Sequence, residues 1–420
     1  MTPSHEPASQ ARTTCLAADP DTGRVMPFPL HLDLAGRRVL VVGGGAVAAR
    51  RVRALLQAGA VVEVVAVETV EDFPEVVVQQ RAFVHTDVVG AWLVVAATGV
   101  VDDQVAAACE AQQRWCVRSD DAQRSAAWVP AVARVDDVVV SVTAGRDPRR
   151  AVALRDALAL AIDTGGLPLR RSRPGAGSVA IVGGGPGDPD LLTVRARRLL
   201  AGADVVVRDR LAPRVELPED VELVEVGKAP GAHSWVQRDI EALLVAKARE
   251  GKRVVRLKGG DVHVFARGIE ELAACAEAGI AVEVVPGISS ALAAPTLAGI
   301  PVTVRGVTQS VAVVSAHVPP GDPASTVDWD ALARLGGTLV LLMAVGRLPA
   351  VCAALLAGGR RGDTPLAVVQ DASLPTQRTV VTTLDKARED IAGITNPAVV
   401  VVGEVVAERR TEAPFRRDGT

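Results

Sequence analysis

From about residue 35 to residue 162, short runs of valine, leucine and alanine alternate with longer stretches whose apolar positions recur every three to four residues. Val39–Val42 reads as a strand, followed by a glycine loop and a helix that closes at Gly59. In that helix Ala48, Val52, Leu55 and Leu56 fall on one face of a 3.6-residue period. Val61–Val67 and Leu93–Ala97 read as further strands, with Asp102 as the cap of the next helix. Val138–Val142 is another strand. Asp147-Pro148 then opens a helix that turns Ala151, Leu154, Leu158 and Ile162 inward, proline being suited to a first helical position. Apolar strands alternating with helices predict a parallel sheet covered on both faces.

The periodicity lapses over residues 163–178, where Gly, Pro and Arg dominate, and this stretch is read as a linker. A second α/β region runs from Val179 to about Glu408. Pro286-Gly287, Pro295 and Pro301 interrupt it near its middle, which predicts two lobes, about 179–295 and 305–408, with a cleft between them. Residues 1–27 are polar and lack the apolar core of a signal peptide, so they are expected to be a disordered leader before a first module over 28–162. Residues 409–420 form a charged tail. At 420 residues, a prior of about 150 per domain agrees with two to three domains.

Composition narrows the function. Tyrosine is absent and aromatic residues make up 2% of the chain, so valine, alanine and leucine must fill the cores. Such aromatic poverty argues against a stacking surface for single-stranded nucleic acid. A net charge of -3 provides no general attraction for polyanions. None of the five cysteines forms a C-x-x-C pair, which argues against a zinc knuckle or a thioredoxin-type site and suits free thiols in a reducing cytoplasm. The six histidines show no ligand spacing, so no resident metal is expected. No apolar run approaches the length of a membrane span.

Two glycine loops begin alike and differ chemically. Val42-Gly43-Gly44-Gly45-Ala46-Val47-Ala48 fits G-x-G-x-x-A between a strand and a helix. Gly43, Gly45, Ala46 and Val47 would bring backbone and a helix N-terminus to a pyrophosphate. Glu68, about 20 positions on and just past the second strand, would take the ribose hydroxyls of NAD. The alternative is a tight strand-to-helix turn without a ligand. In Val182-Gly183-Gly184-Gly185-Pro186-Gly187-Asp188-Pro189, two prolines remove amide donors where a phosphate loop needs them. That rigid turn exposes carbonyls and suits a sulfonium or adenosine better than a pyrophosphate.

Residues 251–268 are the most specific stretch. An apolar strand, Val254 to Leu257, runs into Lys258-Gly259-Gly260-Asp261, with Val264 and Arg267 following. Adjacent glycines let backbone approach a ligand closely. With the Gly183 loop, Leu191-Leu192-Thr193, residues 203–211 and 226–233, Val284–Ser290 and Gly299–Thr303, this segment resembles the uroporphyrinogen-III C-methyltransferases. Residues from about Phe28 to Ile162 resemble the precorrin-2 dehydrogenase and sirohydrochlorin ferrochelatase module, through the Gly43 loop, Ala96-Ala97-Thr98, Ser119–Ala122 and Trp128-Val129-Pro130. The chain as a whole is therefore similar to the fused siroheme synthases.

The resemblance implies an α/β fold, a Rossmann-type parallel sheet domain followed by a two-lobed tetrapyrrole methylase domain. It implies S-adenosylmethionine contacts at Pro186, Gly259, Gly260, Asp261, Val264, Ser289, Ser290, Met343 and Ala372, the last standing where a glycine is usual. A proton acceptor would be Asp209, a donor Lys228, and Asp120 would serve both dehydrogenation and chelation. Without the resemblance, Met343 in the apolar run Leu339–Val345 would be read as core. NAD and S-adenosylmethionine are the implied cofactors. Uroporphyrinogen III, precorrin-2 and sirohydrochlorin are the tetrapyrrole substrates, with Fe²⁺ inserted as a substrate. Arg208, Arg210, Lys228, Arg256, Lys258 and Arg305 are candidates for pairing with substrate carboxylates. A homodimer in the cytoplasm is implied, without nucleic-acid or membrane partners. Two alternatives stay open: an NAD-binding first module without chemistry, suggested by the short segment between the modules, and a methyltransferase feeding cobalamin synthesis.

Overall fold

The computed structural model describes residues 28–122, 124–145, 147–170, 175–227 and 235–410. Lys228, His233, the leader and most of the tail lie outside the described residues. The chain forms two compact units, one running to Ala131 and including Val142–Ala151, the other comprising Val132–Ser141 and the chain from Val152 onward.

The first unit holds β1 (Arg38–Val42), α1 (Ala46–Gln57), β2 (Val61–Ala66), β3 (Val77–Gln80), β4 (Leu93–Ala96), α2 (Asp102–Ala111) and β5 (Trp115–Arg118). The strands form one parallel sheet in the order β3-β2-β1-β4-β5. Alternate residues of β1 serve two cores: Val39 and Val41 pack with Ala48 and Val52 of α1, whereas Leu40 and Val42 pack with Val105 and Cys109 of α2. This is the sheet covered on both faces that the unbroken apolar strands require. Because the chain winds outward in both directions from β1 and β4, their C-terminal ends form a switch point, the usual place for a ligand crevice.

A hairpin of β6 (Ala131–Val135) and β7 (Val138–Val142) follows, then α3 (Pro148–Asp163). Asp147 Oδ1 accepts from the Arg149 and Arg150 amides at 3.0 and 3.1 Å, which explains where α3 starts. The inward face predicted for α3 is half right. Ala151 and Ile162 are buried, but Leu154 and Leu158 are each 43% exposed, because no element among the described residues covers them.

The first lobe of the second unit contains β8 (Ser178–Gly183), α4 (Val194–Ala201), β9 (Val205–Arg208), β10 (Glu222–Glu225), α5 (Gln237–Arg249), β11 (Arg253–Lys258), α6 (Gly268–Glu277), β12 (Ala281–Val285) and α7 (Ser290–Leu297). Its sheet is parallel throughout, ordered β10-β9-β11-β8-β12. The glycine-rich turns after β8 and β11 therefore leave neighbouring strands at the same edge.

The second lobe contains β13 (Val311–Ser315), α8 (Trp329–Arg334), β14 (Thr338–Leu342), α9 (Leu348–Ala357), β15 (Pro365–Gln370), β16 (Arg378–Thr383), α10 (Ala387–Asp390) and β17 (Ala398–Val402). Here the sheet is mixed: β13 and β14 are parallel, and β17, β15 and β16 add antiparallel pairings. Register puts the C-terminal ends of β14 and β15 beside the start of β17, so Met343 and Asp371 share one edge. Asp188 N donates to Ser373 Oγ at 3.0 Å and Gln377 Nε2 to the Leu297 carbonyl at 3.2 Å, tying the lobes together.

Candidate functional site

In the first unit, the three glycines after β1 do different work. A Cβ on Gly43 would stand 2.4 Å from the Ala97 carbonyl oxygen, and one on Gly44 would stand 2.0 Å from that of Glu68. Both are needed to let β1 turn against its neighbours. Gly45 is different: open space surrounds its missing side chain, and it caps α1 without any side-chain hydrogen bond to the first turn. A bare helix N-terminus beside an open glycine fits a pyrophosphate. Ala46 and Val47 begin that helix, and the close approach of Gly44 places Glu68 at the same loop.

Asp102 does not cap α2, the role expected for it. It is buried, and its carboxylate accepts from the Thr98 amide (2.9 Å), the Thr98 hydroxyl (2.5 Å) and the Gly99 amide (3.1 Å). It thus holds the turn after β4 instead of the helix that begins with it.

Asp120 lies two residues past β5, its side chain 32% exposed. Arg118 grips it with two bonds, Nε at 3.0 Å and Nη2 at 2.6 Å, while Nη1 binds Asp103 at 2.5 Å. The Arg118 hydrogen bond holds the Asp120 carboxyl below the usual carboxylate range, against the opposing effect of burial. Ser125 Oγ accepts from the Arg118 amide at 2.9 Å and donates to the Ala127 carbonyl at 2.6 Å, fixing this turn. The resemblance named Asp120 but not its clamp, since an arginine ending a strand reads as surface charge.

In the second unit, the turns after β8 and β11 meet. Gly185 N donates to the Gly260 carbonyl at 3.1 Å, and Gly260 N to the Gly185 carbonyl at 2.7 Å. Pro186 is next to this bridge. Gly183 and Gly287 pack backbone to backbone: a Cβ on Gly287 would be 2.3 Å from the Gly260 carbonyl oxygen. A Cβ on Gly259 would meet the Leu211 carbonyl at 2.8 Å. Gly260, at φ +66°, has nothing nearer than 3.8 Å, the Ser290 amide. With Gly184 N bonded to the Lys258 carbonyl and Pro186 lacking an N–H, this platform spends its amides internally. It fits a nucleoside or a sulfonium better than a phosphate.

Asp261 is the clasp of that platform. Its Oδ1 accepts from the His263 amide at 2.8 Å and its Oδ2 from the Gly287 amide at 3.2 Å. Ser289 caps α7, its Oγ accepting from the Ala291 amide at 3.3 Å, and Ser290 opens the helix. Val264 is 37% exposed, and the neighbouring Phe265 and Arg267 have φ of +54° and +60°. In the second lobe Met343 is not core: it is 43% exposed at φ +57°. Asp371 and Ser373, at +50° and +74°, flank Ala372, which packs partly against the lobe core. Left-handed non-glycine residues cost about 1–3 kcal/mol each and tend to gather at functional sites; five of the seven among the described residues lie in these turns.

Asp209 directly follows β9, its side chain 31% exposed. Arg256 Nη2 donates to its Oδ1 at 2.6 Å, and Lys258 Nζ is 3.8 Å from Oδ2. Neither cation is available to a substrate, contrary to the sequence expectation. Arg256 is 1% and Lys258 2% exposed, and both bind Glu271, which is 0% exposed. Burial, then the nearby Arg256, lowers the Lys258 pKa from the ordinary lysine value. Arg208 is likewise buried and paired with Glu225, leaving Arg210 and Arg305 exposed among the described candidates.

Known proteins match this arrangement. The tetrapyrrole (corrin/porphyrin) methylase family model covers residues 178–388, and the family described as "Putative NAD(P)-binding" covers 30–131. A siroheme synthase from Chromobacterium violaceum is 38% identical over 447 aligned residues, covering 90% of this chain and 95% of its own. An S-adenosyl-L-methionine-dependent uroporphyrinogen III methyltransferase from Methanosarcina barkeri is 44% identical, covering 57% of this chain and 98% of its own. The crystal structure of a cobalamin biosynthetic enzyme, cobalt precorrin-4 methyltransferase, matches with a TM-score of 0.50 at 28% identity, over 55% of this chain and 95% of that one. With nearly full-length likeness spanning both the glycine-first sheet and the paired turns of the second unit, the chain belongs to the siroheme synthase family.

Proposed function

We propose that this chain methylates uroporphyrinogen III twice to give precorrin-2, oxidises that product to sirohydrochlorin with NAD⁺, and inserts Fe²⁺ to complete siroheme. The observation that carries the reading is the Gly185–Gly260 pairing, which joins the two most specific turns into one side-chain-free platform. S-adenosylmethionine supplies an electrophilic methyl group, and NAD⁺ accepts a hydride. Pro186, Gly259, Gly260, Val264, Ser289, Ser290, Met343 and Ala372 form the nucleoside site in this reading, with Asp261 holding its loops. Orientation of the methyl donor against a pyrrole carbon is what such a site contributes. Asp209 accepts the proton that the methylated framework must lose. Lys228 is its proposed donor counterpart. Exposed Arg210 and Arg305 meet substrate carboxylates.

In the first unit Gly43, Gly45, Ala46, Val47 and Glu68 hold the dinucleotide, and Asp120 receives the proton released as hydride leaves. Once that proton has passed to solvent, the Asp120 carboxylate attracts Fe²⁺, and the two pyrrole protons displaced on insertion leave one at a time through it to water. A second reading, in which this unit binds NAD without chemistry, draws on the Arg118 clamp, which makes Asp120 a weak base. The clusters of titratable residues give no resident metal group among the described residues, and no described helix is long and apolar enough to cross a membrane. Cytoplasmic location fits the four described cysteines, all free and buried. A homodimer would cover Leu154, Leu158 and Leu160 on α3, and sedimentation of the purified protein tests it.

One incubation decides between the readings. Purified protein with uroporphyrinogen III, S-adenosylmethionine and NAD⁺ should carry absorption from precorrin-2 on to sirohydrochlorin. Arrest at precorrin-2 supports the binding-module reading, and absence of any methylated product overturns the proposal.

A further inference from the structure

Four charged side chains, Asp209, Arg256, Lys258 and Glu271, meet around the strand that leads into the nucleoside platform, and three of them have no part in the chemistry described above. Arg256 and Lys258 are two residues apart on β11, so they point to the same face of the sheet. Both reach Glu271 in the first turn of α6: Arg256 Nε donates to Oε1 at 3.0 Å, and Lys258 Nζ to Oε1 and Oε2, each at 3.0 Å. On the other side both approach Asp209, at 2.6 and 3.8 Å. Arg256 Nη1 also donates to the Val207 and Leu257 carbonyls at 3.3 and 3.4 Å, which fixes the guanidinium plane. Two cations thus link a sealed carboxylate to one that is open to solvent.

Stability does not account for this network. Desolvating buried ions costs several kcal/mol each, and well-packed apolar replacements are often neutral or stabilising. Resting on the assignment of Asp209 as proton acceptor, we propose that Glu271 is a positioning residue: through Arg256 and Lys258 it fixes the direction of the Asp209 carboxylate and balances the two cations beside it. Were Glu271 uncharged, both cations would turn their full field on Asp209. A carboxylate so held resists the proton it must accept. The other groups facing the cluster are Gln237 on α5, 3.5 Å from Glu271 Oε1, and Cys275 on α6, with Arg267, Glu270 and Glu241 at its margin. None of these is a cation bonded to Glu271 that could stand in for Arg256 or Lys258.

The test uses the full chain, with turnover of uroporphyrinogen III across pH, S-adenosylmethionine affinity by calorimetry, and thermal melting. Asp209→Asn is the reference and should lower kcat by about 10²–10⁴-fold, the range for a lost general base. The apolar triple variant Arg256→Met/Lys258→Met/Glu271→Leu should fold and bind S-adenosylmethionine within about twofold of the parent, yet lose kcat to a similar degree. A folded triple variant with parental kcat overturns the proposal, because the network would then be packing alone. The near-isosteric Glu271→Gln decides the matter even if the triple variant does not fold. Its kcat should fall and the acid limb of its kcat profile should move to lower pH, since Asp209 then faces excess positive charge. An acid limb that does not move overturns the proposal. Full kcat in Asp209→Asn removes the acceptor role itself, and the positioning role with it.

Discussion

Replacing Gly260 by alanine separates ligand space from folding space at the centre of the nucleoside platform. The residue sits at φ +66°, where an L-side chain costs about 1–2 kcal/mol. Its new methyl meets no protein atom within 3.8 Å. The fold should therefore survive, with a melting temperature lower by about 2–8 °C. In the proposed site that methyl would enter the room for the nucleoside, so S-adenosylmethionine affinity should fall at least about tenfold, or about 1.4 kcal/mol. Gly287→Ala is the contrasting case. Its Cβ would be 2.3 Å from the Gly260 carbonyl oxygen and 2.6 Å from the Gly183 backbone, neither of which can yield as a side chain does. That change should cost about 4 kcal/mol or more and unfold the platform. Calorimetric titration and thermal denaturation of both variants provide the readings. Parental affinity in Gly260→Ala, with only the small loss of stability, would refute the argument that this glycine is kept for a ligand.

The other predictions concern both units. Gly45→Ala should leave stability unchanged and weaken NAD⁺ binding, measured by fluorescence titration, whereas Gly43→Ala should destabilise the first unit through the 2.4 Å contact with Ala97. Equal effects would show that the two glycines are not divided between ligand and turn. Asp261→Ala removes the acceptor of two backbone amides, each such bond being worth about 1.5–3 kcal/mol. It should weaken S-adenosylmethionine binding more than Asp261→Asn, which keeps one acceptor oxygen; the reverse order would count against the clasp. Arg118→Met releases Asp120, whose carboxyl then rises toward the ordinary carboxylate value it has in the unfolded chain, and the acid limb of NAD⁺-dependent oxidation should shift to higher pH. Because the folded Asp120 pKa is depressed, its pairing stabilises above that unfolded value and fades as pH falls through the lower folded one. Asp120→Asn should therefore soften acid unfolding slightly, the effect being small for a side chain one-third exposed.

Much of the architecture was legible because apolar runs and glycines recur where strands end. The β1–glycine–α1 unit and the Val254–Leu257 strand are of this kind. β3 and β5 were not, for they are four residues long and contain Gln79, Gln80 or Arg118. The mixed sheet of the second lobe has no distinct signature either, since parallel and antiparallel strands share the same two-residue alternation. Within the site, Pro186, Gly260 and Asp261 stood out by residue type, but the Asp261 bond to Gly287 depends on a long-range packing that no local pattern records. Glu271 was missed because an acid in the first turn of a helix looks like an ordinary complement to the helix dipole. Arg256 and Lys258 were misread for a related reason: alternating charges on a strand suggest a wet face, whereas here that face is sealed. Leu154 and Leu158 went wrong in the opposite direction, their helical spacing being correct and their cover absent among the described residues.

The reciprocal hydrogen bonds between Gly185 and Gly260 have an evolutionary corollary. Neither turn can drift on its own, because a register change in one deprives the other of both its donor and its acceptor. Recombination between relatives that exchanged a single turn should yield poorly assembled chimaeras, and exchange of the two together should be tolerated. The pair is inherited, in effect, as one module written in two places along the chain.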